Sequence, residues 1–174
     1  MKDNICYPPD KWYDNDTKLI FLAGPIKGSD NWQQQAVELI NKANPEISIA
    51  NPRRDVLKEL VKDDWAIQVE WETFHLRMAS AKGAIMFWLG PETSHSCDNS
   101  FAKTTRFEFA EWFTHYKYRK IHNPDNKLKI ILGIDDKFPG RDYIVYRVFN
   151  DCPEFIIATT LEETCQLAID SLKD

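Results

Sequence analysis

The sequence predicts an α/β fold in which a mostly parallel sheet carries helices on both faces. Three observations lead to this prediction. A chain of 174 residues with 43% hydrophobic content buries one sizeable core. Short apolar runs recur along it, and segments with helical spacing of apolar residues separate them. Parallel strands need crossover connections of this kind, so the alternation favours a doubly wound parallel sheet in a single domain.

Five apolar runs, each about as long as a buried strand, predict a five-stranded sheet. They are residues 18–23, 46–50, 84–89, 128–134 and 154–158. Residues 143–149 alternate apolar and polar side chains, which indicates either an edge strand or an extended loop.

Four segments between and after these runs have helical spacing. They are residues 32–43, 65–81, 109–116 and 161–172. Residues 1–17 contain Pro8 and Pro9 and have neither helical nor strand periodicity. We therefore expect an extended N-terminal arm over residues 1–17, packed on the domain or on a partner, followed by one α/β domain over residues 18–174.

Charge and composition exclude several classes of protein. A net charge of −5 and a pI near 5.4 argue against a protein that grips duplex nucleic acid by neutralising phosphates, and leave a free nucleoside or nucleotide as a ligand. Apolar runs such as 84–89 are far shorter than the roughly 20 residues that span a bilayer, and the N-terminus has no signal-peptide pattern, which predicts a cytoplasmic protein. The four cysteines form no CxxC pair and the four histidines have no metal-ligand spacing, so we expect reduced thiols and no metal.

The loops that follow the predicted strands are the places to search for chemistry, because ligands of open parallel sheets bind at the carboxyl ends of the strands. The first such loop contains Gly24 and Pro25 and enters a helix, whose free N–H groups suit an anion or a polar sugar. The alternative is a tight turn in which Asp30 or Asn31 caps the helix.

The loop after the second strand contains Arg53 and Arg54. Their guanidinium groups suit a carboxylate or phosphate through forked hydrogen bonds. The alternative is a local ion pair with Asp55 or Glu59.

The next predicted helix contains Glu72 and His75, which lie three residues apart on a common side. Either side chain can donate a proton to a leaving base. The alternative is a solvated, charged helix face.

The most informative segment follows the apolar strand 84–89. After a long polar loop, residues 104–110 open an aromatic-rich helix and place Glu108 at its start, facing the crevice. The competing interpretation is a capping box, Thr105-x-x-Glu108, in which the carboxylate of Glu108 accepts from the backbone N–H of Thr105.

Five pieces of sequence, in order over residues 18–112, resemble the nucleoside 2-deoxyribosyltransferase family, in particular its branch with an extended arm. They are Ile20-Phe21-Leu22-Ala23-Gly24-Pro25-Ile26, Asn31-Trp32-Gln33, Asn51-Pro52-Arg53-Arg54-Asp55, Gln68-Val69-Glu70-Trp71-Glu72 and Thr104-Thr105-Arg106-Phe107-Glu108. The resemblance implies a flavodoxin-like or Rossmann-like sheet with strand order 2-1-3-4-5.

The resemblance also implies roles for individual residues. Glu108 matches the glutamate that attacks the anomeric carbon and forms a covalent deoxyribosyl-enzyme intermediate. A second acid, Glu72 or Asp98, assists departure of the base, as paired carboxyls do in glycosidases. The first loop holds the sugar, and a neighbouring subunit completes the pocket. The expected substrate-binding residues are Gly24, Pro25, Lys27, Trp32, Asn51, Arg53, His75 and Arg106.

Two departures from the family pattern affect the expected pocket. Glu108-Phe109-Ala110 stands where the family usually has Glu-Leu-Gly, and Ala81-Lys82-Gly83-Ala84 replaces an acidic residue before the third strand. The first departure predicts a tighter or rearranged pocket, and the second bears on the choice of substrate but not on the fold.

The predicted activity is transfer of a deoxyribosyl group from one nucleobase to another, without a cofactor, because carboxylate chemistry suffices. Two alternatives stay open. One is a hydrolase of deoxynucleoside monophosphates or modified nucleotides in which Lys27, Ser29 or Arg53 reads the phosphate. The other is a non-catalytic nucleotide-binding or sensing protein.

A homo-oligomer, dimer or larger, is expected from the same resemblance. The aromatic residues Trp112, Phe113 and Tyr116 fit either a subunit interface or the buried face of one helix. Trp88 fits the core.

Overall fold

A computed structural model describes residues 4–12, 17–54, 64–95, 100–123, 125 and 128–173 of the chain. In these residues six strands and five helices follow one another along the sequence. The strands are β1 (Ile5–Cys6), β2 (Leu19–Ala23), β3 (Ser48–Ala50), β4 (Ala84–Leu89), β5 (Ile130–Ile134) and β6 (Ile157–Ala158). The helices are α1 (Trp32–Ala43), α2 (Asp64–Lys82), α3 (Lys103–His122), α4 (Arg141–Asp151) and α5 (Leu161–Ser171).

The six strands form one parallel sheet in the order β1-β3-β2-β4-β5-β6. Its central strands β2 and β4 are buried at every position, as expected where helices cover both faces of a parallel sheet. The predicted fold class is confirmed, and so is the predicted order, since the five expected strands lie as 2-1-3-4-5.

The predicted count of five strands is wrong, because the N-terminal arm adds a sixth strand at the edge of the sheet. In β1, Ile5 pairs with Ile49 and Cys6 with Ala50, parallel to β3. Two residues are too few to show a strand period, and this explains why the sequence pattern missed them.

Residues 143–149 were predicted as an edge strand or loop, and this prediction is wrong, since they lie in α4. Ile144, Val145 and Val148 turn toward the core at helical spacing, and Val148 is buried. The apparent alternation arises because Tyr143 and Tyr146 are exposed aromatic residues on the outer side of the helix.

Two apolar clusters cover the two faces of the sheet. On one face, α1 and α5 pack on the strands, and Trp88 is a buried member of this cluster. On the other face, α2 and α3 pack through Trp71 and Phe109. The two helices that carry Glu72 and Glu108 therefore lie on the same face of the sheet.

The buried face of α3 contains Trp112, Phe113 and Tyr116, so the interface interpretation of these three side chains is wrong. Trp112 and Phe113 are 8% and 7% exposed. Tyr116 packs edge-on against Phe155, with ring centroids 5.5 Å apart. No helix in the described part of the chain has the length and apolar content to cross a membrane.

Candidate active site

Glu108 lies inside α3, about one turn beyond the third helical position that the glutamate of a capping box occupies. The helix begins at Lys103, and its N-cap is Ala102, which has a left-handed backbone (φ 55°) and no side-chain capping bond. The N–H of Arg106 already donates to the carbonyl of Ala102 at 2.9 Å. Thr105 is therefore within the helix, where it is 3% exposed, and the capping-box interpretation of Glu108 is wrong.

The carboxyl group of Glu108 is half-buried and forms no hydrogen bond or ion pair with any residue that the structure describes. Its pKa is raised to about 8, mainly by burial and then by the negative charges of Glu72 and Glu111. A desolvated carboxyl without a hydrogen-bond partner is costly, and such groups are concentrated at functional sites.

Glu72 extends from α2 close enough for its charge to act on Glu108, and unlike Glu108 it has a hydrogen-bond donor. Its side chain is half-buried, and its Oε1 accepts a hydrogen bond from Nε2 of Gln68 at 2.8 Å. Burial raises the pKa of Glu72, whereas the bond from Gln68 and the positive charge of Arg54 lower it. The charge of Glu72 also raises the pKa of Glu108, so the two carboxyls are coupled and titrate as a unit.

Arg54 and Gln68 form a hydrogen-bonded chain behind Glu72 that the sequence prediction missed. Nε of Arg54 donates to Oε1 of Gln68 at 2.8 Å, and Nε2 of Gln68 also donates to the carbonyl of Pro52 at 3.0 Å. Nη2 of Arg54 is buried and has no hydrogen-bond partner among the described residues. The signal available in the sequence was the spacing of four between Gln68 and Glu72 on one helix face.

Arg53 supports the first loop rather than projecting into open space. Its Nη1 donates to the carbonyl of Asp30 at 2.8 Å and to Oε1 of Gln33 at 2.9 Å. Its Nη2 donates to the carbonyls of Ser29 at 3.3 Å and Ile26 at 3.4 Å. Four acceptors on one loop and the helix start fix the guanidinium group as a brace. The alternative partners Asp55 and Glu59, like the candidate acid Asp98, lie outside the described residues.

The first loop is held close to the sheet at Gly24. A Cβ on Gly24 would lie 2.4 Å from the carbonyl oxygen of Trp88 and 2.5 Å from the ring of Trp32, so only glycine fits. Trp32 is 3% exposed and donates from Nε1 to the carbonyl of Pro25 at 2.9 Å. Asn31 caps α1 by accepting from the N–H of Gln34 at 3.2 Å, which confirms one of the two predicted caps.

The first loop also contacts the segment after β4. The carbonyl of Gly28 accepts from the N–H groups of Thr93 at 2.8 Å and Ser94 at 3.2 Å, and Gly28 itself has a left-handed backbone (φ 78°). Lys27 beside it is exposed and forms no hydrogen bond or ion pair with the described residues. Lys27 is thus the free cation of this loop, in the part of the chain that the structure describes.

His75 is engaged elsewhere, under the N-terminal arm. It is fully buried, so the solvated-face interpretation is wrong for this residue. Its Nε2 accepts from the backbone N–H of Trp12 at 3.1 Å, and Nδ1 therefore carries the proton and donates to the carbonyl of Trp71 at 2.9 Å. Burial lowers the pKa of His75.

Asn51 and Arg106 both hold backbone. Asn51 is 3% exposed, and its Oδ1 accepts from the N–H of Arg53 at 2.9 Å, which forms a turn directly after β3. Arg106 donates from Nη2 to the carbonyl of Pro139 at 2.5 Å and lies 4.6 Å above the ring of Phe138. Of the predicted site residues, the structure therefore brings Glu72 and Glu108 together and uses Asn51, Arg53 and Arg106 as supports.

Comparison with known proteins adds one match. The sequence model of the family described as "Nucleoside 2-deoxyribosyltransferase like" matches residues 17–122, a span of 106 of the 174 residues. No curated protein matches the chain. The matched span runs from β2 through α3 and includes both carboxyls of the candidate site. The chain belongs to the nucleoside 2-deoxyribosyltransferase-like family.

Proposed function

We propose that the protein cleaves the N-glycosidic bond of a 2'-deoxynucleoside through a covalent intermediate on Glu108 and transfers the deoxyribosyl group to another nucleobase. Membership of the family points to an enzyme that transfers or hydrolyses glycosyl groups of nucleosides. The observation that carries the finer proposal is the Glu108 carboxyl, which is half-buried, without a hydrogen-bond partner among the described residues and coupled to a second carboxyl.

The first half-reaction needs one nucleophile and one proton. A carboxylate oxygen of Glu108 bonds to C1' of the sugar while the C1'–N bond breaks, and the electron pair of that bond goes to the base nitrogen. Glu72 supplies the proton that neutralises the departing base. In the second half-reaction a nitrogen of the acceptor base attacks C1', the bond to Glu108 breaks and Glu72 takes back a proton. Two displacements give retention at C1'.

The coupled pair provides the proton that this scheme requires. With one proton between Glu72 and Glu108, the reactive arrangement has Glu108 ionised and Glu72 protonated. The raised pKa of Glu108, about 8, means that the resting protein holds much of this proton on Glu108. Substrate binding therefore has to move the proton to Glu72 or to the base. We expect a bell-shaped pH dependence of kcat/KM whose alkaline limb lies near pH 8.

We assign the sugar to the space beside the first loop. Arg53 holds the carbonyls of this loop, and the loop shape depends on the close approach at Gly24. Arg53 is occupied by this role, which weighs against it as a phosphate reader. Lys27 is exposed and has no partner in the described residues, so it is the candidate contact for a monophosphate substrate.

We also propose that a second copy of the chain completes the pocket. Two large apolar side chains on the helices that carry the carboxyls are exposed, Trp65 at 71% and Phe107 at 73%. Trp65 lies two helical turns before Glu72 on the same face, and Phe107 precedes Glu108. Sedimentation should show a dimer or larger assembly. A monomer with full activity would contradict the shared pocket.

The test of the proposed function is incubation of wild type and Glu108→Ala with a panel of deoxynucleosides and their monophosphates, with and without an acceptor base. Chromatography follows free base and new nucleoside. New nucleoside that disappears in Glu108→Ala supports transfer, and free base alone indicates a hydrolase. Glu70→Gln is the control, because Glu70 is an exposed carboxylate on the same helix as Glu72. Binding without either product from any donor would favour a non-catalytic sensor.

A further inference from the structure

The side-chain amide of Gln68 uses both of its ends. Its Nε2 donates to Oε1 of Glu72 at 2.8 Å and to the carbonyl of Pro52 at 3.0 Å, while its Oε1 accepts from Nε of Arg54 at 2.8 Å. Pro52 and Arg54 belong to the segment directly after β3. Gln68 therefore ties Glu72 on α2 to the end of the sheet.

Arg54 determines which way this amide faces. A guanidinium group has only N–H donors, so the oxygen of Gln68 has to point toward Arg54 and its NH₂ group toward Glu72. If the amide were reversed, its oxygen would face the Glu72 carboxylate and repel the ionised form. The contact from Arg54 thus selects the orientation in which Glu72 receives a donor.

We infer that Gln68 is a positioning residue, oriented by Arg54, that holds the Glu72 carboxyl in place beside Glu108. The inference rests on the proposed function, in which Glu72 exchanges the proton with the base. One oxygen of Glu72 is held by Gln68, and this leaves the other oxygen for the leaving group or for Glu108. A fixed carboxyl with one free oxygen is what proton transfer at a defined atom requires.

The charged groups facing Glu72 come from two elements. Arg54 approaches from the segment after β3, and Glu108 approaches from α3; the charge of Glu111 acts on Glu108. The hydrogen bond from Gln68 and the charge of Arg54 both lower the pKa of Glu72, against the larger effect of burial, which raises it. Loss of the Gln68 amide removes one of the two contributions that keep Glu72 able to ionise.

The direct test is a titration of the glutamate side-chain carboxyl carbons by ¹³C NMR in wild type and Gln68→Met, with Glu72→Gln to assign the signal. Methionine keeps the length of the side chain and removes its hydrogen bonds. We expect the pKa of Glu72 to rise by about one pH unit, as the loss of a hydrogen bond to a charged group implies. An unchanged Glu72 titration in folded Gln68→Met overturns the inference.

A matched control exists on α1, where Gln34 donates to Glu38 at 2.9 Å with the same spacing of four but on an exposed surface. Gln34→Met should leave the titration of Glu72 unchanged. Arg54→Met is the second variant and the one to use if Gln68→Met does not fold. It frees the amide to reverse, and we expect it also to raise the pKa of Glu72; an unchanged value in this variant overturns the role of Arg54.

Kinetics then separate positioning from a purely structural role. In Gln68→Met we expect kcat to fall on the order of tenfold with little change in KM, and the acidic limb of the pH profile to move upward. A fall in activity without movement of the pH profile contradicts the inference. If wild type turns over no donor, the proposed function fails, and the NMR titration still decides whether Gln68 and Arg54 set the ionisation of Glu72.

Discussion

Glu108 and His75 are both titratable side chains on helices that pack on one face of the sheet, and both are taken out of water, yet their surroundings differ. His75 has a backbone partner at each ring nitrogen, Trp12 at Nε2 and Trp71 at Nδ1. Glu108 has no such partner among the described residues, and the charges nearest to it are negative. Burial disfavours the charged form of each side chain, so it lowers the pKa of His75 and raises the pKa of Glu108.

The difference separates a structural group, His75, from the carboxyl that we propose as the nucleophile, Glu108. A buried imidazole with both nitrogens satisfied stabilises the arm against α2 and leaves no lone pair for a substrate. A desolvated carboxyl without donors costs folding free energy and persists where its reactivity is used. Shifted pKa values alone would mark both residues as candidates for a functional site. Their hydrogen bonds distinguish them.

The largest expected effect is on catalysis. Glu108→Gln should lower kcat/KM for deoxyribosyl transfer on the order of 10⁴-fold, because an amide of the same shape is a poor nucleophile. His75→Phe, measured per folded molecule, should keep activity within a few-fold. Steady-state assays of the two variants side by side test the comparison, which breaks if His75→Phe loses as much activity as Glu108→Gln.

Stability against pH should show the next effect. The folded pKa of Glu108 is raised above its ordinary value of 4.5, so its contribution to stability is fully present at low pH and is lost as pH rises toward about 8. The full rise corresponds to at most about 5 kcal/mol. Urea unfolding from pH 5 to pH 9 should show wild type losing stability relative to Glu108→Gln. A constant difference between them would mean that Glu108 ionises freely in the folded protein.

Removal of the His75 imidazole, whose hydrogen bonds are all satisfied, should have a smaller effect on the free energy of unfolding. His75→Ala should cost about 3 kcal/mol near pH 7, through lost packing on Trp71 and the unpaired N–H of Trp12. Because burial lowers the pKa of His75, wild type itself loses this stability as pH falls below about 6.5. The cost of the substitution should therefore shrink in acid, and thermal or urea unfolding at pH 5 and pH 7 measures it. If the loss of stability in His75→Ala is larger at pH 5 than at pH 7, the prediction is contradicted.

The smallest effect concerns the third carboxyl. Glu111 is exposed, and its charge makes a lesser contribution to the pKa of Glu108 than burial and Glu72 do. Glu111→Gln should lower the pKa of Glu108 by less than about half a pH unit, since exposed charges are screened. The ¹³C titration resolves a change of that size. A larger fall than in Glu72→Gln would reverse the assignment of partners.

The sequence predicts the fold because the fold follows from local patterns. The family resemblance singled out Glu108 and Glu72, since the pattern alone also fitted a capping box and a solvated helix face. Uniformly apolar strands such as β2 and β4, alternating with helices, specify a parallel sheet, and the loops at its carboxyl edge follow from that topology. The sequence did not predict where α3 begins, because its N-cap is Ala102 in a left-handed conformation, which has no sequence signature. Thr105 therefore looked like a cap although it lies within the helix.

The missed parts depend on contacts between distant residues. The chain from Arg54 through Gln68 to Glu72 joins segments 14 residues apart, and nothing in the local pattern distinguishes it from an ion pair with the nearby acids. The engagement of His75 depends on Trp12, 63 residues away. The two-residue strand β1 forms only because β3 offers an edge.

The measurement that tests the central claim most directly is mass spectrometry of the enzyme quenched during turnover of a deoxynucleoside and then digested. The account predicts a deoxyribosyl group on the peptide that contains Glu108, absent from Glu108→Gln and accumulating when no acceptor base is present. Turnover with the group on Glu72, or turnover with no covalent adduct on any carboxyl, would contradict Glu108 as the nucleophile.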